Sequence, residues 1–143
     1  MKRFILILLL FTMLFSVCTA ANTEETVTVK VNGNLIQSDV PPVLKDGRTF
    51  LPLRAILNAI GVENENIIWW EMAEAVEIKH NNTHIFMVLN SREAIVNENT
   101  YHLDAPAFET RGRTLVPVRF LSENLNCRVV WDEKTFTVDI YTN

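Results

Sequence analysis

His80 and His84 flank an Asn81-Asn82 pair. If the asparagines turn a hairpin, two imidazoles facing each other across it could share a metal ion. A firm zinc site draws on three or four protein ligands. No third ligand is evident beside these two, so the expectation is a pair of solvated histidines, with no metal and no cofactor. Carboxylates are plentiful at Glu24, Glu25, Glu63, Glu65, Glu71 and Glu74. They fall in turns or on polar strand faces, where acidic side chains stay solvated. The sequence contains no Gly-x-Ser-x-Gly elbow, no His-Glu-x-x-His, no phosphate loop and no Cys-x-x-Cys. No catalytic residue is assigned, and the chain is expected not to be an enzyme.

The cations carry a different signal. "DGRTFLPLRAILNAIG", residues 46–61, returns as "RGRTLVPVRFLSENLN", residues 111–126. Both keep Gly-Arg-Thr, two apolar residues, proline, an apolar residue and arginine. Arg54 and Arg119 fall in the first turn of the helix that each phrase opens, where the backbone dipole disfavours a cation. Writing that residue twice argues for a compensating partner. Asp39 and Asp104 stand at equivalent places upstream, which suggests Arg54–Asp39 and Arg119–Asp104 pairs. Carbonyls of the proline-rich loop are equally good acceptors for a guanidinium fork. The expectation is a structural joint built from Arg48, Arg54, Asp39, Arg113, Arg119 and Asp104. The alternative is an anion site, or a small extracellular enzyme, using the same arginines and aspartates.

Trp70 is the remaining candidate. Trp69 takes the place that Trp131 holds in the second half and is expected in the core. Side chains alternate along a strand, so Trp70 faces the other way, beside Glu71. A tryptophan exposed there could stack on a sugar ring or anchor a protein partner. The plainer alternative is that residues 63–66 of the same chain cover it. Trp70 and Glu71 are the candidate binding residues.

The elements that must position these groups come in two copies. Val31-Asn32-Gly33-Asn34 matches Val96-Asn97-Glu98-Asn99, and Asp39-Val40-Pro41 matches Asp104-Ala105-Pro106, both at an offset of 65. Beyond the repeated phrase, "WWEMAEAVEI" (69–78) lies over "WDEKTFTVDI" (131–140) at an offset of 62. Residues 26–31 alternate apolar and polar, which is a half-buried strand. Asn32-Gly33 is a strong hairpin signal. Residues 39–47 read as loop. Pro52 suits a first helical turn, Ile56, Leu57 and Ile60 form an apolar helical face, and Gly61 suits the left-handed cap. Leu121, Leu125 and Asn126 repeat that plan. Residues 83–89 are apolar on both faces and should form a central strand. The fold class expected is α+β: two internal repeats of strands plus one short helix, with a mainly antiparallel sheet packed on the two helices. Residues 22–143 read as one domain, with repeats at about 26–90 and 91–143.

Residues 1–21 stand apart. Lys2 and Arg3 precede an uncharged apolar run, Phe4 to Val17, and small residues follow at 18–21. That is the layout of a secretory signal peptide, with cleavage expected after Ala20 or Ala21. An uncleaved anchor and lipidation of Cys18 are the rivals, and either is the only route to a membrane. Removal of the segment takes the formal charge from −4 to −6. With no basic run, nucleic acid is excluded as an expected partner. A single cysteine, Cys127, remains, so no internal disulfide framework is available.

The residues "VNG" and "LDAPAFETRGRTLVPVRFLSENLNCRVVWDEKTFTVDI" resemble the stalk domain named after the N-terminal domain of copper amine oxidases. The resemblance runs from about Val27 to Tyr141. Asn126 replaces the family's helix-ending glycine, Trp70-Glu71 follows Trp69 where aspartate is usual, and Ala107 replaces a second proline. The resemblance implies an α+β module of envelope or secreted proteins in Gram-positive, often spore-forming, bacteria. In the oxidases the copper and quinone belong to another, larger domain of which this chain carries no trace, so neither copper nor amine oxidation is implied. The function expected is a non-catalytic, secreted or envelope-associated interaction module that binds an envelope protein or a cell-wall polymer. A structural protein that self-associates through an edge strand is the other alternative.

Overall fold

Four two-residue turns organise the chain. Asn32-Gly33, Asp46-Gly47, Asn97-Glu98 and Arg111-Gly112 all have positive φ at both positions, from 46° to 81°. That backbone matches the right-handed twist of the strands on either side and closes a tight hairpin. The structure is a computed structural model and describes residues 26–143. The expected signal segment and Cys18 lie outside the described residues.

These four turns join β1 (Thr28–Val31) to β2 (Asn34–Leu35), β3 (Val43–Lys45) to β4 (Arg48–Pro52), β8 (Glu93–Val96) to β9 (Asn99–His102), and β10 (Phe108–Thr110) to β11 (Arg113–Pro117). Helix α1 (Leu53–Ala59) follows β4, and α2 (Val118–Asn124) follows β11. The remaining strands are β5 (Ile67–Trp70), β6 (Ala75–His80), β7 (Thr83–Val88), β12 (Arg128–Asp132) and β13 (Thr137–Tyr141).

The α+β expectation is corrected here. The described residues are mostly β, 47% strand against 17% helical, in three sheets with two short α-helices. Two local causes explain the difference. Residues 39–47, read as loop, contain β3, because Asp46-Gly47 turns a hairpin rather than ending a loop. Pro52 and Pro117 do not enter the helices; both are extended and close their strands. Each helix then stops after seven residues in the same way. The N–H of Val62 reaches the carbonyl of Leu57 and that of Gly61 reaches Asn58; Cys127 reaches Ser122 and Asn126 reaches Glu123. This paired closure is the Schellman motif, with Gly61 (φ 91°) and Asn126 (φ 62°) as the left-handed residues.

The central sheet, in the order β10-β11-β4-β3, is built on β4 against β11, antiparallel, with Phe50 opposite Pro117, Leu51 opposite Val116 and Pro52 opposite Leu115. The last three residues of each strand pair, so the start of each runs on past the end of the other. The second sheet runs β12-β13-β1-β2, with β1 parallel to β13. The third runs β5-β6-β7-β8-β9, antiparallel throughout. The expected central strand, β7, is its middle member.

Both outer sheets mix the halves of the chain. The first hairpin, β1–β2, joins β12 and β13 from the far end, while β8–β9 joins β5 and β6 through β7. The common core collects Val29, Leu51, Ile56, Leu57, Ile78, Ile85, Met87, Val116, Leu121 and Ile140 from all three sheets and both helices. Each such side chain contributes roughly 1.5–3 kcal/mol on burial. A satellite cluster of Val40, Phe50 and Leu115 takes in Phe108, whose ring meets Phe50 edge-on at 5.0 Å.

Candidate functional site

The repeated Gly-Arg-Thr sits at the start of β4 and of β11, so Arg48 and Arg113 project from hairpin turns. Because β4 and β11 run antiparallel, each turn arrives beside the loop of the opposite half. Arg113 Nε donates to Asp39 Oδ2 at 2.9 Å, and its Nη2 lies 2.6 Å from the same oxygen in an ion pair. Arg48 Nη2 donates to Asp104 Oδ2 at 3.1 Å. The hydrogen bond from Arg113 holds the Asp39 carboxyl below its ordinary range.

These partners correct the pairing suggested by the sequence. Arg54 Nη1 donates instead to Asn64 Oδ1 at 3.2 Å, and Arg119 Nε lies 3.9 Å from Glu123 Oε1, one helical turn on. Asp39 and Asp104 are engaged by the arginine that comes across the central sheet. Proximity in the chain pointed to the helix arginine, but the β4–β11 register brings the other one closer.

Two grooves open at the two ends of the β4–β11 pair. One, of about 550 Å³, is lined by Arg48, Asp104, Pro117, Arg119, Trp131 and Val138 among others. The other, of about 610 Å³, is lined by Arg113, Asp39, Pro52, Arg54, Trp69 and Val76 among others. Each lining residue named in the first has its repeat mate in the second. Each groove holds two guanidinium groups, one aspartate and one indole. Sequence reasoning did not assign Trp69 and Trp131 to such a site; the recurrence of a tryptophan after each arginine phrase, at an offset of 62 against 65 for the arginines, was the available signal.

Trp69 is therefore not in the core as expected. It is 37% exposed, and its Nε1 donates to Glu71 Oε2 at 2.7 Å. Trp69 shares the inward side of β5 with buried Ile67, but β5 is an edge strand and its inward side opens into the groove. Glu71 is thus a partner of Trp69 and lies on the groove.

Trp70 lies on the outer face of the five-stranded sheet and is 50% exposed. Residues directly opposite in antiparallel strands share a face. The register Trp70–Ala75–Val88 and Ile68–Glu77–Phe86–Ile95–Thr100 makes this outer face largely apolar. Met72, in the turn after β5, is fully exposed.

In the middle of that face sits Glu77, 9% exposed. Lys79 Nζ lies 3.0 Å from its Oε1, Trp70 Nε1 donates to its Oε2 at 2.9 Å, and His84 Nε2 is 2.9 Å from Oε1. The hydrogen bonds from Lys79, Trp70 and His84, in that order, bring the Glu77 carboxyl down to about 2 from 4.5, against a smaller opposing effect of burial. Glu77 was not singled out in the sequence, where it reads as one polar residue in an alternating strand. The histidines do not face each other: His80 lies opposite Thr83, and His84 opposite Lys79. Among the described residues no cluster of three or more His, Cys, Asp or Glu could hold a metal ion.

Glu77 is ionised and saturated with donors, so it has no proton to give. Burial pushes the Cys127 thiol up, which keeps it protonated and inert. Among the described residues no helix is long and apolar enough to cross a membrane. The family model described as copper amine oxidase N-terminal domain matches residues 30–140. No curated protein matches the chain.

Proposed function

We propose that this chain, which belongs to the copper amine oxidase N-terminal domain family, is a secreted or envelope-associated interaction module that docks a protein partner and transforms no substrate. The matched family is a non-catalytic accessory domain. Secretion is read from the signal-like residues 1–21.

The observation that carries the docking reading is the half-exposed Trp70 on a largely apolar sheet face, with the buried carboxylate beside it already paired. The Trp70 N–H is spent on Glu77, and both Glu77 oxygens are engaged. A protein surface laid over Trp70 and Glu77 strands neither of these groups, which keeps the desolvation cost there small. The indole supplies the kind of aromatic anchor that dominates interface energetics.

The test compares tagged wild type with Trp70→Ala on an envelope fraction before and after its proteins are stripped. Retention that needs both the envelope proteins and Trp70 is the expected result. Equal retention of the two forms removes the sheet face from the account. Retention on the stripped wall transfers the partner to the wall polymer.

A further inference from the structure

We infer that the two grooves at the ends of the β4–β11 pair are quasi-equivalent glycan sites, each taking a sugar that carries a carboxylate. The inference does not depend on the sheet face that contains Trp70.

Each groove combines three groups that suit a pyranose ring. The first is an indole, Trp131 in one and Trp69 in the other. Its flat face receives the apolar C–H side of a sugar ring. The second is a guanidinium–carboxylate pair, Arg48 with Asp104 and Arg113 with Asp39. Such a pair offers neighbouring donors and acceptors to neighbouring hydroxyls. Because the pair is formed before the ligand arrives, little side-chain entropy is lost on binding.

The third group decides the charge of the ligand. Arg119 and Arg54 line the grooves, and among the described residues neither donates a hydrogen bond to a carboxylate, although Arg119 has a long ion pair with Glu123. Arg119 is 3.9 Å from Glu123, and Arg54 meets only the neutral Asn64 amide. A guanidinium fork with free donors matches a carboxylate in a bidentate way. Densely anionic ligands fit less well. Glu71 and Glu109 line the second groove, Glu123 lines the first, and the whole chain is acidic. A single carboxylate is matched by the one guanidinium per groove that hydrogen-bonds no carboxylate, whereas a phosphate at every link meets repulsion from these acidic side chains.

The second groove has an additional donor. The Ser38 hydroxyl lines it, is buried and has no hydrogen-bond partner among the described residues. Such a group is costly unless something completes it. The volumes, about 550 and 610 Å³, lie within the range of small-ligand sites. The grooves also differ: Phe120 and Leu44 line the first where Ala55 and Glu109 line the second. One frame therefore carries two preferences. Placement at opposite ends of one strand pair makes the chain bivalent toward a long polymer.

Calorimetric titration tests this on the purified protein with three probes: a galacturonic acid tetramer, a neutral glucose tetramer and a short polyphosphate. The expected result is two sites per chain for the acidic sugar. The neutral sugar binds at least ~10-fold more weakly, as loss of a charged hydrogen bond requires, and polyphosphate does not compete. Arg54→Gln and Arg119→Gln each remove one site, and the double change removes both. Both arginines are exposed, so the melting temperatures stay at the wild-type value. No saturable binding of the acidic tetramer, binding that survives the double change, or equal binding of the neutral sugar or polyphosphate overturns the proposal.

Discussion

Asp39 and Arg113, separated by 74 residues, are joined by a hydrogen bond from Nε and an ion-pair contact from Nη2 to the same carboxylate oxygen. The equivalent pair, Asp104 and Arg48, is separated by 56 residues. Both ties run from the loop of one half to the hairpin turn of the other. The repeated phrase is thus a joint across the central sheet, and the same arginines edge the two grooves.

The joints are exposed, which limits what they add to stability. Exposed ion pairs are weak and are screened by salt. Arg113→Ala and Arg48→Ala are expected to lower the melting temperature by a few degrees at most. The difference from wild type should vanish in 1 M salt, where the Debye length is roughly 3 Å. Thermal melts at low and high salt check this; a large, salt-independent loss would mean the arginine stems are packing elements.

Ser122 is a removable flaw. It is 0% exposed, its hydroxyl has no partner among the described residues, and it takes the place that buried Leu57 holds in α1. Ser122→Ala deletes a stranded polar atom and improves helix propensity, and should stabilise by about 1 kcal/mol. Denaturant unfolding measures it. A loss of stability would show that the hydroxyl does find a partner.

The helix caps give paired predictions of opposite sign. Asn126→Gly relieves the left-handed residue after α2, while Gly61→Ala strains the one after α1. A Cβ at Gly61 meets nothing within 4 Å, so its cost is purely conformational, about 1 kcal/mol. Unfolding midpoints should move up for the first and down for the second.

Glu77 governs the acid limb. Its folded value, about 2, lies below the ordinary 4.5. A depressed carboxylate contributes stability that is complete above about pH 4.5 and is lost as pH falls toward 2. Glu77→Gln should lower stability at neutral pH and flatten the decline between those values. Melting temperature against pH, for both forms, is the measurement. An unchanged acid limb would place the titrating group elsewhere.

Much of the local structure could be read directly. Asn32-Gly33 turns a hairpin, Gly61 and Asn126 cap helices, and residues 83–88 form the central strand of their sheet. The family was also legible, because its motifs run through most of residues 27–141. The same local reasoning missed the hairpin at Asp46-Gly47. A proline-rich approach made residues 39–47 look irregular, although Asp-Gly carries the same turn signal as Asn-Gly. That omission, together with prolines placed in helices rather than at strand ends, produced the α+β expectation for a mainly β chain.

The remaining differences are long-range. Turns and caps depend on φ angles and hydrogen bonds spanning four to six residues, and neighbouring side chains settle them. Which aspartate an arginine meets depends on the register of β4 against β11, set by burial of Phe50, Leu51, Leu115 and Val116 in strands far apart in the chain. The same burial draws β1–β2 onto β13 and leaves β5 at an edge. In consequence Trp69 opens into a groove and Glu77 is ringed by three donors. Alternation along one strand puts Lys79 beside Glu77 but cannot reveal Trp70 and His84, which arrive from the strands on either side.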